Sequence, residues 1–511
     1  MIIKNLLWSL TIISMTACVT PTPSTTENSK PNIVFILADD LGYGDVSSFN
    51  ENSKIQTPNI DQLAQQGVRF TDAHTSSAVC TPTRYGILTG RYNWRSTLKK
   101  GVLNGYSEAL IPRERETVAS FLQKNGYQTG CIGKWHLGWT WNSIEKGNNS
   151  VDFSKKITGG PTTLGFDYFY GFCGSLDMPP YVWVENDAPT MVPTKTTVRE
   201  KGQDFWREGL TSDDFDHELV LNNIADKAKT FIHTRANKEK PFFLYLPLSA
   251  PHTPILPTPG FQGKSGLENP YADFVLMVDH IVGEISQQLE EEQITNNTIL
   301  FFTSDNGCSP MANFEQLATK GHNPSYVFRG TKADIFEGGH RVPYIVQFPN
   351  KIKPAISNQM VCTTDLFATV ADLLGIAYGD NVAEDSFSLL PALKIESGKP
   401  VREAIVHHSI NGMFAIRKGE WKLALCPGSG GWSYPRPGKD DEVLKQLPQV
   451  QLYNLKNDIE EQSNLQAEHP EIVKEYRDLL SDYIEKGRST AGSPQTNDGP
   501  GKWPQLNWLD E

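Results

Sequence analysis

Residues 33–42 read Ile33-Val34-Phe35-Ile36-Leu37-Ala38-Asp39-Asp40-Leu41-Gly42, six apolar residues followed at once by two carboxylates. A run that is apolar at every position, rather than at alternate ones, predicts a strand buried on both faces, as in a parallel sheet. Thr298-Ile299-Leu300-Phe301-Phe302-Thr303 has the same form and runs into Ser304-Asp305-Asn306-Gly307. Phe242-Phe243-Leu244-Tyr245-Leu246 leads to Ala250-Pro251-His252, and Thr129-Gly130-Cys131-Ile132-Gly133 leads to Lys134-Trp135-His136. Helix-like segments lie between these runs at Thr57 to Gln66, Thr117 to Lys124 and Phe215 to Arg235. The alternation predicts an α/β fold with a large, mostly parallel or mixed sheet sandwiched by helices, which gathers its ligands beyond the carboxyl ends of the strands.

The polar residues at those ends have a definite chemistry. Asp39, Asp40, Asp305 and Asn306 offer oxygen ligands with no thiolate or imidazole beside them, which suits a hard cation such as Ca²⁺ or Mg²⁺ rather than Zn²⁺. Either pair alone also reads as a helix cap or a turn. Lys134, His136 and His252 arrive at strand ends, and Lys332 lies in the Gly-bounded segment Arg329-Gly330-Thr331-Lys332 before Glu337-Gly338-Gly339.

With 511 residues and 38% hydrophobic content, the chain has enough apolar surface for one large core and a smaller one. Its formal net charge of −12 argues against nucleic acid as a partner and requires any anion site to be locally basic. Lys4, the apolar run from Leu6 to Ile13 and the ending Met15-Thr16-Ala17-Cys18 read as an export signal. The ending is lipobox-like, with Cys18 as the lipidated first residue and residues 19–30 as a tether, although Met15 stands where Leu is usual. A plain secretory signal cut near Ala17 is the alternative. Either reading predicts a location outside the cytoplasm, in the periplasm or at the surface of a bacterium, with the membrane reached only through the N-terminal lipid. Beyond Cys18 and Cys80, five widely spread cysteines cannot all pair, so a disulfide framework is not expected to organise the fold.

Cys80-Thr81-Pro82-Thr83-Arg84, followed by Leu88-Thr89-Gly90-Arg91, has the form C-x-P-x-R and L-T-G-R. With it the chain resembles the formylglycine-dependent sulfatases of the alkaline phosphatase superfamily. Further matching blocks are Leu37 to Gly42, Gly133 to Gly138, Ala250-Pro251-His252, Thr303 to Gly307, and Arg329 to Lys332 with Glu337 to Gly339. Leu452-Tyr453-Asn454-Leu455 and Asn464-Leu465 are similar to the closing blocks.

The resemblance implies that Cys80 is converted to formylglycine (3-oxoalanine) by a formylglycine-generating or anaerobic maturation enzyme. One Ca²⁺ per chain is implied on Asp39, Asp40, Asp305, Asn306 and modified Cys80. Arg84 and Lys134 are implied to hold the hydrate, and Lys134, Lys332, His252 and Ser175 to bind sulfate. The implied catalytic set is Cys80, Arg84, Lys134, His136, His252 and Lys332, with His252 protonating the leaving oxygen and His136 taking the second hydrate proton. A hydrated aldehyde suits the task because one of its oxygens attacks sulfur and the other expels the sulfate.

The family likeness suggests a catalytic unit over 31–376 and a smaller unit over 377–486 with an antiparallel sheet and a helix around Ile472 to Glu485. Residues 487–511 have no periodic pattern and read as an extended tail. Aromatic faces and hydrogen-bonding groups near the catalytic blocks make Asp177, Tyr181, Trp183, His322, Arg329 and His340 candidate sugar contacts. Local likeness to galactose and N-acetylgalactosamine 6-sulfatases points to a sulfated oligosaccharide or polysaccharide, cut from the end at a 6-O-sulfate. The alternatives are a phosphonate or phosphate ester hydrolase of the same superfamily, and a catalytically dead glycan-binding surface protein.

Overall fold

The computed structural model describes residues 30–143, 151–236, 238–394 and 400–509. The leader, the tether up to residue 29 and Cys18 lie outside the described residues. The apolar runs form the middle of a ten-stranded sheet. Five neighbouring strands, Thr298–Ser304, Asn32–Ala38, Phe242–Pro247, Gln128–Lys134 and Tyr168–Phe172, are parallel. Tyr344–Gln347 pairs antiparallel to Thr298–Ser304 and makes the sheet mixed.

The continuous hydrophobicity of residues 33–38 has a direct cause. Ile33, Phe35 and Leu37 enter one core with the helices Cys80–Thr89, Val118–Lys124 and Leu366–Leu374. Val34, Ile36 and Ala38 enter the other core with Pro58–Gln66, Val220–Ala236 and Pro270–Glu291. Helices therefore cover both faces, and the carboxyl ends of the strands are left to polar residues.

One predicted helix starts late. Residues 217–219 form a 3-10 turn, because the Asp216 carboxylate accepts a bond from the Glu218 N–H at 3.0 Å, and the α-helix begins at Val220. Phe215 instead packs on Trp183, with 5.0 Å between ring centroids. An exposed antiparallel ribbon, Lys195–Arg199 with Trp206–Thr211, was not expected from the sequence.

A second sheet, Ala404–His408, Phe414–Lys418, Trp421–Ala424 and Gln451–Asn454, is antiparallel throughout. One face packs against the helix Pro470–Glu485, and the other meets Ile335 and Phe336 of the larger unit. Beyond that helix the chain runs back over the larger unit. Asp498 pairs with Arg91 at 2.9 Å, and Trp503 and Trp508 are buried. The six described cysteines are free and buried.

Candidate active site

The polar strand ends converge. Asp39 and Asp40 follow Asn32–Ala38 directly, and Asp305 and Asn306 follow the adjacent parallel strand. The Asp40 N–H donates to Asp305 Oδ1 at 3.2 Å, and Asn306 Nδ2 donates to Asp40 Oδ1 at 2.6 Å. Asp40 has φ 67° and His136 φ 55°, a left-handed conformation uncommon outside glycine and often found where a chain presents a functional side chain. Gly133 has φ 128°, and a Cβ there would lie 2.0 Å from the Pro247 carbonyl oxygen. That close approach lets the chain enter the site at Lys134.

Cys80 is the first residue of Cys80–Thr89 and is 2% exposed. One helical turn later, Arg84 donates to Asp305 Oδ2 from Nη2 at 2.6 Å and from Nε at 3.1 Å, and to the Lys134 carbonyl at 2.9 Å. Lys134 Nζ lies 2.6 Å from Asp39 Oδ2, and Lys332 Nζ lies 2.8 Å from Asp40 Oδ2. His252 Nε2 is 3.7 Å from Asp40 Oδ2, and the His252 ring nitrogens are 3.4 Å from Ser175 Oγ. His136 Nε2 faces the Leu103 carbonyl at 2.8 Å, so that nitrogen carries the proton, and Nδ1 is buried without a partner.

Three carboxylates and three basic side chains share this buried volume. Burial pushes the Asp39 carboxyl up, but Lys134, His252, Arg84 and Lys332 hold it below the usual carboxylate range. Asp305 moves the other way, raised by burial and by the charge of Asp39. Burial raises the Cys80 thiol, against the opposing pull of Lys134 and Lys332. Burial and Lys332 depress His252, and burial, Lys134 and Arg84 depress His136 further.

A cation fits the oxygen set. Asp39 Oδ1 and Asn306 Oδ1 are buried with no hydrogen-bond partner, although both belong to the cluster where carboxylates crowd. Unpaired buried acceptors are costly, and a hard cation held by these oxygens, with Asp40 and Asp305, satisfies them.

The sugar-contact candidates divide. Asp177 lies two residues beyond Ser175, in a turn closed by the Met178 N–H on the Ser175 carbonyl at 2.9 Å, and its Oδ1 is buried and unpaired. Its other oxygen pairs with Arg207 of the ribbon, a half-exposed partner that no sequence motif marks. The remaining candidates are held by partners within the fold. His322 is buried between Asp45 Oδ1, at 2.9 Å, and the Lys54 N–H, at 3.3 Å. Arg329 lies over the Phe336 ring at 4.0 Å and donates to the Glu461 carbonyl at 2.6 Å, which ties it to the smaller unit. Tyr181 and Trp183 are core residues, 1% exposed, and His340 is fully buried in a separate histidine cluster.

Residues 31–376 match the Sulfatase family. The chain is 37% identical to an N-acetylgalactosamine-6-O-sulfatase of Bacteroides thetaiotaomicron, over 89% of this chain and 93% of that one. It is 33% identical to human arylsulfatase A, over 77% of this chain and 74% of that protein. A solved structure from work on glycosaminoglycan metabolism by Bacteroides thetaiotaomicron superimposes with a TM-score of 0.79 at 36% identity, covering 89% of this chain and 99% of its own.

Proposed function

The chain belongs to the sulfatase family and is a sulfuric ester hydrolase, and from that premise we propose that it removes 6-O-sulfate from N-acetylgalactosamine or galactose at the end of a sulfated glycan. The observation that carries the chemistry is the meeting of Asp39, Asp40, Asp305 and Asn306 with Arg84, Lys134 and Lys332 beside the buried Cys80. The sugar preference rests on the similarity to an N-acetylgalactosamine-6-O-sulfatase over most of both chains. Export with a lipid on Cys18 would place the enzyme where such glycans arrive.

A Ca²⁺ ion held by Asp39, Asp40, Asp305, Asn306 and residue 80 would supply concentrated positive charge, and a formylglycine at 80 would supply a hydrate that can both attack sulfur and release sulfate. Lys134 and Lys332 have their ammonium groups in the site and bind the sulfate oxygens, while Arg84 fixes Asp305 and the start of the helix that presents residue 80. These fixed charges act in a buried site and stabilise the charge that develops on sulfuryl oxygens. His252 gives a proton to the leaving sugar oxygen. Burial and Lys332 lower the proton affinity of its ring, and an arriving sulfate offsets that ammonium and raises it. His136 has its free Nδ1 available to take a proton.

The reading is tested by a panel of 2-, 3-, 4- and 6-sulfated galactose and N-acetylgalactosamine, run beside an aryl sulfate, a phosphate diester and a phosphonate monoester. Fastest release is expected from the 6-position. Preferential release from another position overturns the sugar assignment, and faster phosphorus ester cleavage overturns the substrate class.

A further inference from the structure

His74, His340 and His407 are each fully buried, and one ring nitrogen from each lies within 4.8 Å of the others. They come from three segments distant in sequence. His74 ends the short strand Ala73–His74, His340 ends the helix Glu337–His340, and His407 lies in the first strand of the smaller sheet. We propose that this trio is a second metal site, separate from the carboxylate cluster, and that it takes Zn²⁺ or a similar borderline transition-metal ion at the joint between the two units.

The hydrogen bonds around the trio argue for it. A ligating histidine usually donates its outer N–H to a carboxylate or a backbone carbonyl, which frees the inner nitrogen for the metal. His74 Nε2 faces Asp72 Oδ1 at 2.9 Å, His340 Nε2 faces the Ile335 carbonyl at 3.2 Å, and His407 Nδ1 faces the Thr75 carbonyl at 3.1 Å. All three outer acceptors are thus in place, and Arg417 Nη1, 3.1 Å from His74 Nε2, donates to Asp72 Oδ1 at 2.6 Å. On the inner side, His74 Nδ1 and His340 Nδ1 are 3.1 Å apart, and His407 Nε2 has no partner at all. Tetrahedral zinc with nitrogen ligands near 2.0–2.1 Å needs such nitrogens only slightly farther apart, roughly 3.3 Å.

Without an ion, one proton is shared between His74 and His340 and sits on His340 Nδ1, while Lys422 Nζ, at 3.0 Å, donates to His340 Nε2. When the ion binds, that proton moves to His340 Nε2 and is accepted by the Ile335 carbonyl. Lys422 then keeps its two carboxylate partners, Glu337 at 3.1 Å and Glu461 at 2.9 Å. The trio loses no proton in the exchange. His407 must turn out of its stack on His340, where the rings are 3.8 Å apart and 10° from parallel. The surrounding carboxylates of Asp72, Glu337 and Glu461 are balanced by Arg341, Arg417 and Lys422. No excess negative charge is left to attract a hard cation, so binding depends on imidazole lone pairs, which select zinc, cobalt or copper over calcium.

The test uses the full mature chain in saturating Ca²⁺, titrated with Co²⁺. One equivalent should develop the intense visible bands of tetrahedral cobalt, and Zn²⁺ should displace it. His407→Phe keeps the ring packing and should abolish the bands while leaving sulfatase activity within about twofold. Absence of bands, or bands unchanged in His407→Phe, overturns the proposal. If that variant fails to fold, X-ray absorption of the wild-type cobalt protein decides: imidazole nitrogen scattering supports the site, whereas oxygen-only or sulfur scattering overturns it.

Discussion

The carboxylate cluster at residue 80 and the histidine cluster at the joint are alike in two respects that often mark a site. Both are largely buried, and in each three carboxylates face three basic side chains. They differ in what is left unpaired. The first leaves two oxygens, Asp39 Oδ1 and Asn306 Oδ1, without a hydrogen bond beside the free Nδ1 of His136, and the second leaves only a ring nitrogen of His407 among its imidazoles. Burial and charge balance therefore do not separate a reaction centre from a joint. The chemistry of the unpaired atom does, because it states what the cluster still has to bind.

If turnover belongs to the first cluster, as proposed, and stability to the second, variants in the two should fail in different ways. Cys80→Ser should lower kcat by on the order of 10³-fold or more and accumulate a sulfated enzyme, seen by intact mass. Sustained turnover by that variant would sink the assignment of residue 80. Lys422→Met leaves Glu337 and Glu461 buried without their shared cation. It should cost about 3–5 kcal/mol in denaturant unfolding and leave kcat of the folded enzyme nearly unchanged. A large loss of kcat at full folding would merge the two regions. His252→Ala should slow sugar sulfates by about 10²-fold and aryl sulfates, whose leaving group needs no acid, by under about tenfold. Equal losses on both substrates remove His252 from the proton transfer.

The smallest effect concerns pH. Burial, aided by the Lys99 charge, lowers the pKa of His408 to about 3, well below its unfolded value. The unfolded chain therefore binds a proton that the folded chain refuses between about pH 6.5 and 3, and stability falls as pH drops through that window, by up to about 1.4 kcal/mol per pH unit. Thermal unfolding followed from pH 7 to 5 should fall less steeply in His408→Phe than in the wild type. An equal slope assigns the acid sensitivity elsewhere.

The parts legible in the sequence are those that one short segment encodes. Residues 33–38 show their two buried faces by unbroken hydrophobicity, and the residues that follow show their oxygen ligands. Sugar contacts were less readable because single side chains do not reveal their partners. His322 looks like any exposed histidine in Gly321-His322-Asn323, yet Asp45, 277 positions earlier, holds its ring in the interior. Arg207 carries no motif, and its relation to Asp177 exists only once the ribbon folds over that turn. The histidine trio was equally hidden, since it joins positions 74, 340 and 407.

The burial of Cys80 has a consequence in time. Its helix is followed by Arg91 and Arg95, which are held by Asp385, 290 positions after Arg95, and by Asp498, 407 positions after Arg91. During synthesis the segment around residue 80 emerges long before either aspartate, and chains of this size acquire structure progressively from the N-terminal side. A maturation enzyme of the kind proposed for Cys80 would find residues 80–84 accessible in that interval, before the helix Cys80–Thr89 is buried. On the proposed reading, conversion of Cys80 would therefore have to precede closure of the fold over a residue that ends 2% exposed.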